Sequence, residues 1–196
     1  MRDVQVRGDH DAFTQLVARW ERPIRRLCIR MTGSEHRGEE LAQEAFARVF
    51  ANRHQYALGR KFSTWVWRIA LNLCYEEGRR ATRRGESLFD PGGAAGGELA
   101  AFFPRPEEHA IDRERAALVR AALNQLSDVL RSIVVLREYE GLKYREIAEV
   151  LEIPEGTVKW RMAEALSQLG KLLAPLAPEH GHDMSNRDNV TNPRCV

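Results

Sequence analysis

Trp65, Arg68, Asn72, Glu76 and Arg79 follow one another at steps of three and four residues, which gathers an aromatic ring, two cations, a carboxamide and a carboxylate on one helix face. Arg79 continues into Arg80, Arg83 and Arg84, and Arg60-Lys61 adds charge just ahead of the helix. A ring can stack on an unpaired base while guanidinium groups neutralise a phosphate backbone, so the set suits single-stranded nucleic acid. The same composition also describes a helix whose tryptophans are core residues and whose arginines only keep the surface soluble. Trp67 is the core-facing member of the pair on this spacing.

A second set lies near the other end of the chain. From Tyr144 to Met162 two short apolar stripes flank a turn, with the small Ala148 where two helices would cross and Val158 ten residues on as the apolar anchor of the second helix. Thr157, Trp160, Arg161, Glu164 and Gln168 share the face opposite Val158. That is the logic of a helix-turn-helix, whose second helix enters a DNA major groove. Thr157, Lys159, Trp160, Arg161 and Glu164 are then the candidate DNA contacts: the cations for phosphate or guanine, the carboxylate for cytosine N4. An ordinary helical hairpin with a solvated polar face has the same spacing. A third set, Glu39, Glu40, Gln43, Glu44 and Arg48, is acidic and would repel DNA, so it suits a protein partner or simply a wetted surface.

No residue set has the form of an enzyme site. The six histidines, His10, His36, His54, His109, His180 and His182, are scattered without a partnered nucleophile. Gly92, Gly93, Gly96 and Gly97 lack the strand before and the helix after that a phosphate loop needs. His180 and His182 with Cys195 could in principle take a transition metal, but two histidines in a polar tail are too few, and no metal or cofactor is expected. Cys28 and Cys74 read as small core residues, and three cysteines without paired spacing fit a reducing compartment. With no apolar signal core at the N-terminus and no run of about 18 apolar residues, the expectation is a cytoplasmic protein without membrane insertion or a small-molecule substrate.

The elements that must carry these sets are all helical. Phe13, Leu16, Val17, Trp20, Ile24, Leu27, Cys28 and Met31 form one stripe, with Asp11 as its predicted N-cap, Pro23 expected to kink or divide it, and Gly33-Ser34 as its stop. Leu41, Ala42, Ala45, Phe46, Val49 and Phe50 form a second, and Phe62, Val66, Ile69, Ala70, Leu73 and Cys74 a third. Later, Ser127 is placed to cap a helix through Leu130, Ile133, Val134 and Leu136, with Gly141 as its stop. A short helix through Ile147 and Leu151 follows, and after Pro154 a last one carries Val158, Met162, Ala165, Leu169 and Leu172.

Charge divides the 196 residues in the same places. The formal total is only +2, yet residues 1–85 carry a net +7, residues 86–115 a net −4, residues 116–173 zero and residues 174–196 a net −1. The predicted architecture is therefore all-α: a three- or four-helix bundle over residues 1–84, an acidic Gly/Pro-rich flexible linker over 85–112, a helix-turn-helix unit over 113–173 and a disordered tail over 174–196.

From Phe13 to Leu173 the chain resembles the two-domain extracytoplasmic-function (ECF) sigma factors of bacterial RNA polymerase. The resemblance rests on Glu39-Glu40-Leu41-Ala42-Gln43-Glu44-Ala45-Phe46-Ala47-Arg48, on Phe62-Ser63-Thr64-Trp65-Val66-Trp67-Arg68-Ile69-Ala70-Leu71-Asn72 with Glu76 and Arg79-Arg80, on Leu126 through Leu136, on Glu140-Gly141-Leu142-Lys143-Tyr144-Arg145-Glu146-Ile147-Ala148-Glu149, and on Gly156-Thr157-Val158-Lys159-Trp160-Arg161-Met162. It implies that Glu40, Leu41, Gln43, Glu44 and Arg48 dock on core RNA polymerase, and that Arg60, Lys61, Trp65, Arg68, Asn72, Arg79 and Arg80 open and hold the promoter −10 element. It implies too that the helix-turn-helix reads the −35 element, and an anti-sigma factor is a further partner of such proteins.

Departures from the family pattern cluster in the second unit. Lys143 stands where Ser or Thr caps the first helix of the motif, Glu152 where Gly makes the turn, and Trp160 where a small Ser is common. Ala163, Glu164 and Leu166 fall in a stretch usually rich in Arg. Two alternatives stay beside the sigma-factor expectation: a polymerase-independent helix-turn-helix regulator, and a sigma-like interaction protein with weakened −35 recognition.

Overall fold

The computed structural model describes residues 1–85 and 109–174, with side chains from Arg115 onward in the second stretch. The acidic Gly/Pro-rich segment and the His180, His182 and Cys195 tail of the sequence reading lie outside the described residues, apart from their first and last few positions. Among the described residues every regular element is helical.

The first unit is built from α1 (Arg2–Arg7), α2 (His10–Thr32), α3 (Glu35–Ala51), a 3-10 turn (Arg53–Gln55) and α4 (Phe62–Arg84). Asp9, not Asp11, caps α2: its carboxylate accepts from the Ala12 N–H at 2.9 Å, because the helix starts at His10, three residues ahead of its apolar stripe. The helix runs on through Pro23 as a single 23-residue element. It stops at Gly33, whose φ of 71° is the left-handed conformation that terminates helices, and Ser34 at once caps α3. Nothing in the periodicity announced α1. Its anchors are the fully buried Val4 and Gln5, whose amide donates to Tyr56 O (2.9 Å) and His54 O (3.1 Å).

Helices α2 and α3 cross so closely that a Cβ at Gly38 would lie 2.4 Å from Ile29 Cγ1 and 2.6 Å from the Ile29 backbone N and Cα. Only glycine fits that crossing. The buried Glu77 carboxylate ties α4 to α3 through Arg37 (3.5 Å) and to its own last turn through Arg84 (3.2 Å).

The second unit holds α5 (His109–Gln125), α6 (Asp128–Val134) running into a wider π-type turn (Val135–Tyr139), α7 (Tyr144–Leu151) and α8 (Glu155–Leu173). Ser127 caps α6 and Gly141, at φ 70°, closes the π-type turn as the spacing predicted. At the start of α7 the missing Ser/Thr cap is replaced by the other half of a capping box: the Glu146 carboxylate accepts the Lys143 backbone N–H at 3.0 Å. The turn between α7 and α8 holds Glu152 at φ 55° and ψ 41°, the one non-glycine residue at positive φ among those described. A side chain in that conformation costs about 1 kcal/mol.

The two units are packed on each other. Their buried residues form one continuous cluster, from Leu27, Met31, Val66 and Leu71 to Ile133, Leu136, Ile147 and Val158. Polar groups close the seam. Glu140, with its side chain 2% exposed, receives Arg26 Nη2 at 2.8 Å and Arg30 Nη1 at 3.3 Å. Arg131 Nη1 donates to Met31 O at 2.7 Å, Nε to Leu123 O, and Nη2 to the Asn124 and Leu126 carbonyls, so four of the five donors of a buried fork are hydrogen-bonded. The Tyr75 hydroxyl donates to Ser132 Oγ at 2.8 Å.

Candidate nucleic-acid interface

The loop before α4 and the first turns of α4 carry the stacking group. Trp65 is half-buried, with its ring 5.1 Å from Tyr56 and 6.2 Å from Phe62, and Phe62 in turn meets Trp20 at 6.3 Å. The aromatic cluster fixes the Trp65 ring while leaving part of it in solvent. Trp67 is buried, as its register requires, edge-on to Trp20 at 6.0 Å. The Tyr56 hydroxyl donates to Arg60 O and so folds the loop back, which holds the exposed Arg60 and Lys61 beside the start of the helix.

Further along α4 the structure divides what the spacing had put together. Asn72, Arg79 and Arg80 are exposed, but Arg79 is eleven residues beyond Arg68, roughly 16 Å along the axis. Glu76 is neutralised by Arg48 of α3 at 3.2 Å and by Arg80 at 3.9 Å. Arg68 is half-buried and turned toward the second unit. Its Nη2 donates to Glu149 O at 2.7 Å, its Nε to Val150 O at 3.2 Å, and its Nη1 pairs with the Glu152 carboxylate at 2.5 Å. Lys61 Nζ reaches Glu146 of α7 at 3.8 Å.

On α8, Val158, Met162 and Ala165 are buried and seat the helix, as the sequence pattern demands. Trp160 projects with 67% of its surface exposed. Lys159 is exposed but paired with Glu155 at 2.8 Å, one turn back. Thr157 and Arg161 are half-buried. Arg161 acts on Tyr75 electrostatically: burial pushes the Tyr75 hydroxyl up to about 12, and the Ser132 hydrogen bond and the Arg161 charge oppose that rise. Glu164 accepts from Gln168 Nε2 at 2.7 Å.

The acidic face of α3 has the amphipathic form read from the sequence. Ala42, Ala45, Phe46 and Val49 are buried, Leu41 is half-buried, and Glu40, Gln43 and Glu44 are exposed. Glu40 is met by Arg37 at 2.8 Å and Glu44 by Arg48 at 2.9 Å. Hydrogen bonds to Glu44 and then Glu76 hold the Arg48 guanidinium above its ordinary pKa.

Sequence reasoning did not single out Arg26, Arg30, Arg131, Glu140, Tyr75 or Ser132, the polar groups at the seam between units. Their only signal was mild: Arg26 and Arg30 one turn apart on a helix with an apolar face. Among the described residues no group of three or more His, Cys, Asp or Glu could hold a metal ion, and no helix is long and apolar enough to cross a membrane.

The Sigma-70 region 2 family matches residues 16–84 and the Sigma-70 region 4 family matches residues 116–169. The ECF RNA polymerase sigma factor SigW of Bacillus subtilis (strain 168) is 34% identical over 177 residues, covering 87% of this chain and 93% of SigW. The RNA polymerase sigma-H factor of Pseudomonas aeruginosa is 32% identical over 177 residues, covering 88% and 92%. Two solved structures share the fold at a TM-score of 0.62. One is the sigma factor RpoE with the anti-sigma factor NepR from Bartonella quintana (21% identity, 83% of this chain, 97% of that one). The other is CnrH with the cytosolic domain of CnrY (24% identity, 86% and 91%).

Two packed helical units, the second carrying a helix-turn-helix, define the class. The chain belongs to the ECF sigma factors of bacterial RNA polymerase.

Proposed function

We propose that this chain binds core RNA polymerase and directs it to a restricted set of promoters, with no substrate chemistry of its own, in the cytoplasm. What supports this most is that the region 2 and region 4 matches occur in order on the two helical units, with an exposed acidic face on α3 that DNA binding alone would not call for. In this reading Glu40, Leu41, Gln43, Glu44 and Arg48 dock on the polymerase. Arg60, Lys61, Trp65, Arg68, Asn72, Arg79 and Arg80 hold the melted −10 strand. Thr157, Lys159, Trp160, Arg161 and Glu164 face the −35 element, and an anti-sigma factor is a candidate regulator.

The test is complex formation with core polymerase followed by start-site mapping on promoters of the source genome. Glu44→Arg is expected to abolish polymerase binding and leave binding of −35 duplex unchanged. A polymerase-independent regulator would show DNA binding by the wild type with no polymerase complex at any concentration.

The recognition helix favours one secondary reading, weakened −35 recognition. Its Lys159 is offset by Glu155, and Glu164 adds a carboxylate to a unit without net charge. Glu164→Arg should then raise −35 duplex affinity; an unchanged affinity removes this reading.

A further inference from the structure

Arg68 is claimed twice. In the function proposed above it holds a melted strand, yet in the folded chain its planar fork is spent on the second unit: two donors on the last carbonyls of α7, Glu149 O (2.7 Å) and Val150 O (3.2 Å), and a third on the Glu152 carboxylate (2.5 Å). A helix C-terminus presents carbonyls with no partner in the helix and carries partial negative charge, so its oxygens offer a guanidinium what a phosphate diester offers. Lys61, its neighbour in the −10 set, is drawn to Glu146 of the same helix at 3.8 Å. Glu149 is itself held by Arg145 at 3.5 Å, which leaves Glu152 and the backbone carbonyls facing Arg68.

Glu152 is the informative residue. It occupies a left-handed turn that glycine would adopt without strain, and its carboxylate meets Arg68. A strained residue persists where a contact compensates for it, and the compensating contact here lies on the other unit.

We infer that Arg68 and Glu152 form a clasp between the two units, and that the phosphate backbone of a melted −10 strand competes with the end of α7 for the Arg68 guanidinium. The inference rests on the −10 role proposed for Arg68. Closed chain and −10-bound chain are then mutually exclusive, and strand binding opens the units. Any ligand that takes only one of two states shifts the balance by its differential affinity.

The full chain, with Cys195 replaced by Ser and fluorophores placed at His36→Cys and Ser167→Cys, reports the separation of the units by energy transfer. Both label sites are exposed, and native Cys28 and Cys74 are buried. The ligand is a single-stranded DNA oligonucleotide carrying the −10 sequence of a mapped promoter. In the wild type, adding it should lower transfer. Glu152→Gly, which relieves the turn, and Glu152→Arg, which repels Arg68, should lower transfer before any DNA is added and raise oligonucleotide affinity roughly 3- to 10-fold, most in Glu152→Arg. Unchanged transfer and affinity in both variants, or oligonucleotide binding without loss of transfer, would overturn the clasp. If Glu152→Arg opens the units but no chain binds the oligonucleotide, the clasp stands and the −10 role of Arg68 fails.

Discussion

Trp160 is the side chain whose identity and exposure matter most on the recognition helix. Two thirds of it is in solvent, so folding gains little from it, and an apolar ring at the face expected to enter the groove suits contact with thymine methyl groups. Trp160→Ala is expected to leave the melting temperature unchanged while weakening −35 duplex binding about 5- to 10-fold, measured by fluorescence anisotropy. Tyr75 makes the opposite case, a residue whose role is structural and pH-dependent. Its hydroxyl is pushed up to about 12 in the folded chain, chiefly by burial, against an unfolded value near 10. The folded state therefore holds this proton longer than the unfolded state does. Stability from Tyr75 is complete below about pH 10 and falls as pH rises toward 12, by on the order of 2 kcal/mol. Thermal melts from pH 9 to 12 should show a shallower decline for Tyr75→Phe than for the wild type.

At the scale of elements, α2 and α3 depend on a glycine that no periodicity argument had marked. With Ile29 backbone atoms 2.6 Å from where a Cβ would stand, Gly38→Ala forces the helices apart. Overpacking of this kind costs about 1–3 kcal/mol, despite the better helix propensity of alanine, and a urea titration should show the lower midpoint. The apolar stripes of α2, α3, α4, α7 and α8 were legible because each buries one face and keeps to a 3.6-residue period. α1 was not, since its six residues offer one buried anchor, Val4, and too few turns for a period to register. The start of α2 at His10 was hidden for a related reason: the first turns of the helix are set by the Asp9 cap and not by apolar residues.

For the whole molecule, the packing of one unit on the other is the consequential fact. Glu140 sits at its centre with Arg26 and Arg30, and desolvation holds the Arg30 guanidinium below its ordinary pKa. Removing the carboxylate takes away the group that joins Arg26 and Arg30 to the second unit, so Glu140→Ala should cost about 1–3 kcal/mol and split one calorimetric transition into two. The candidate surfaces themselves were largely readable: an aromatic and cationic run, a helix-turn-helix and an acidic helix each show in residue type and spacing. What spacing could not show is that Arg68 and Lys61 turn toward α7 and that Glu76 is taken by Arg48, whereas the i,i+4 partners of Lys159 and Glu164 on their own helix follow from it. Helical periodicity is a local property and tells which face of an element is apolar, so helix content, family membership and the division of charge were decided by sequence. Which polar group meets which across 80 or more residues depends on how two apolar faces dock. That was settled only when the units packed and their remaining donors and acceptors had to be paired.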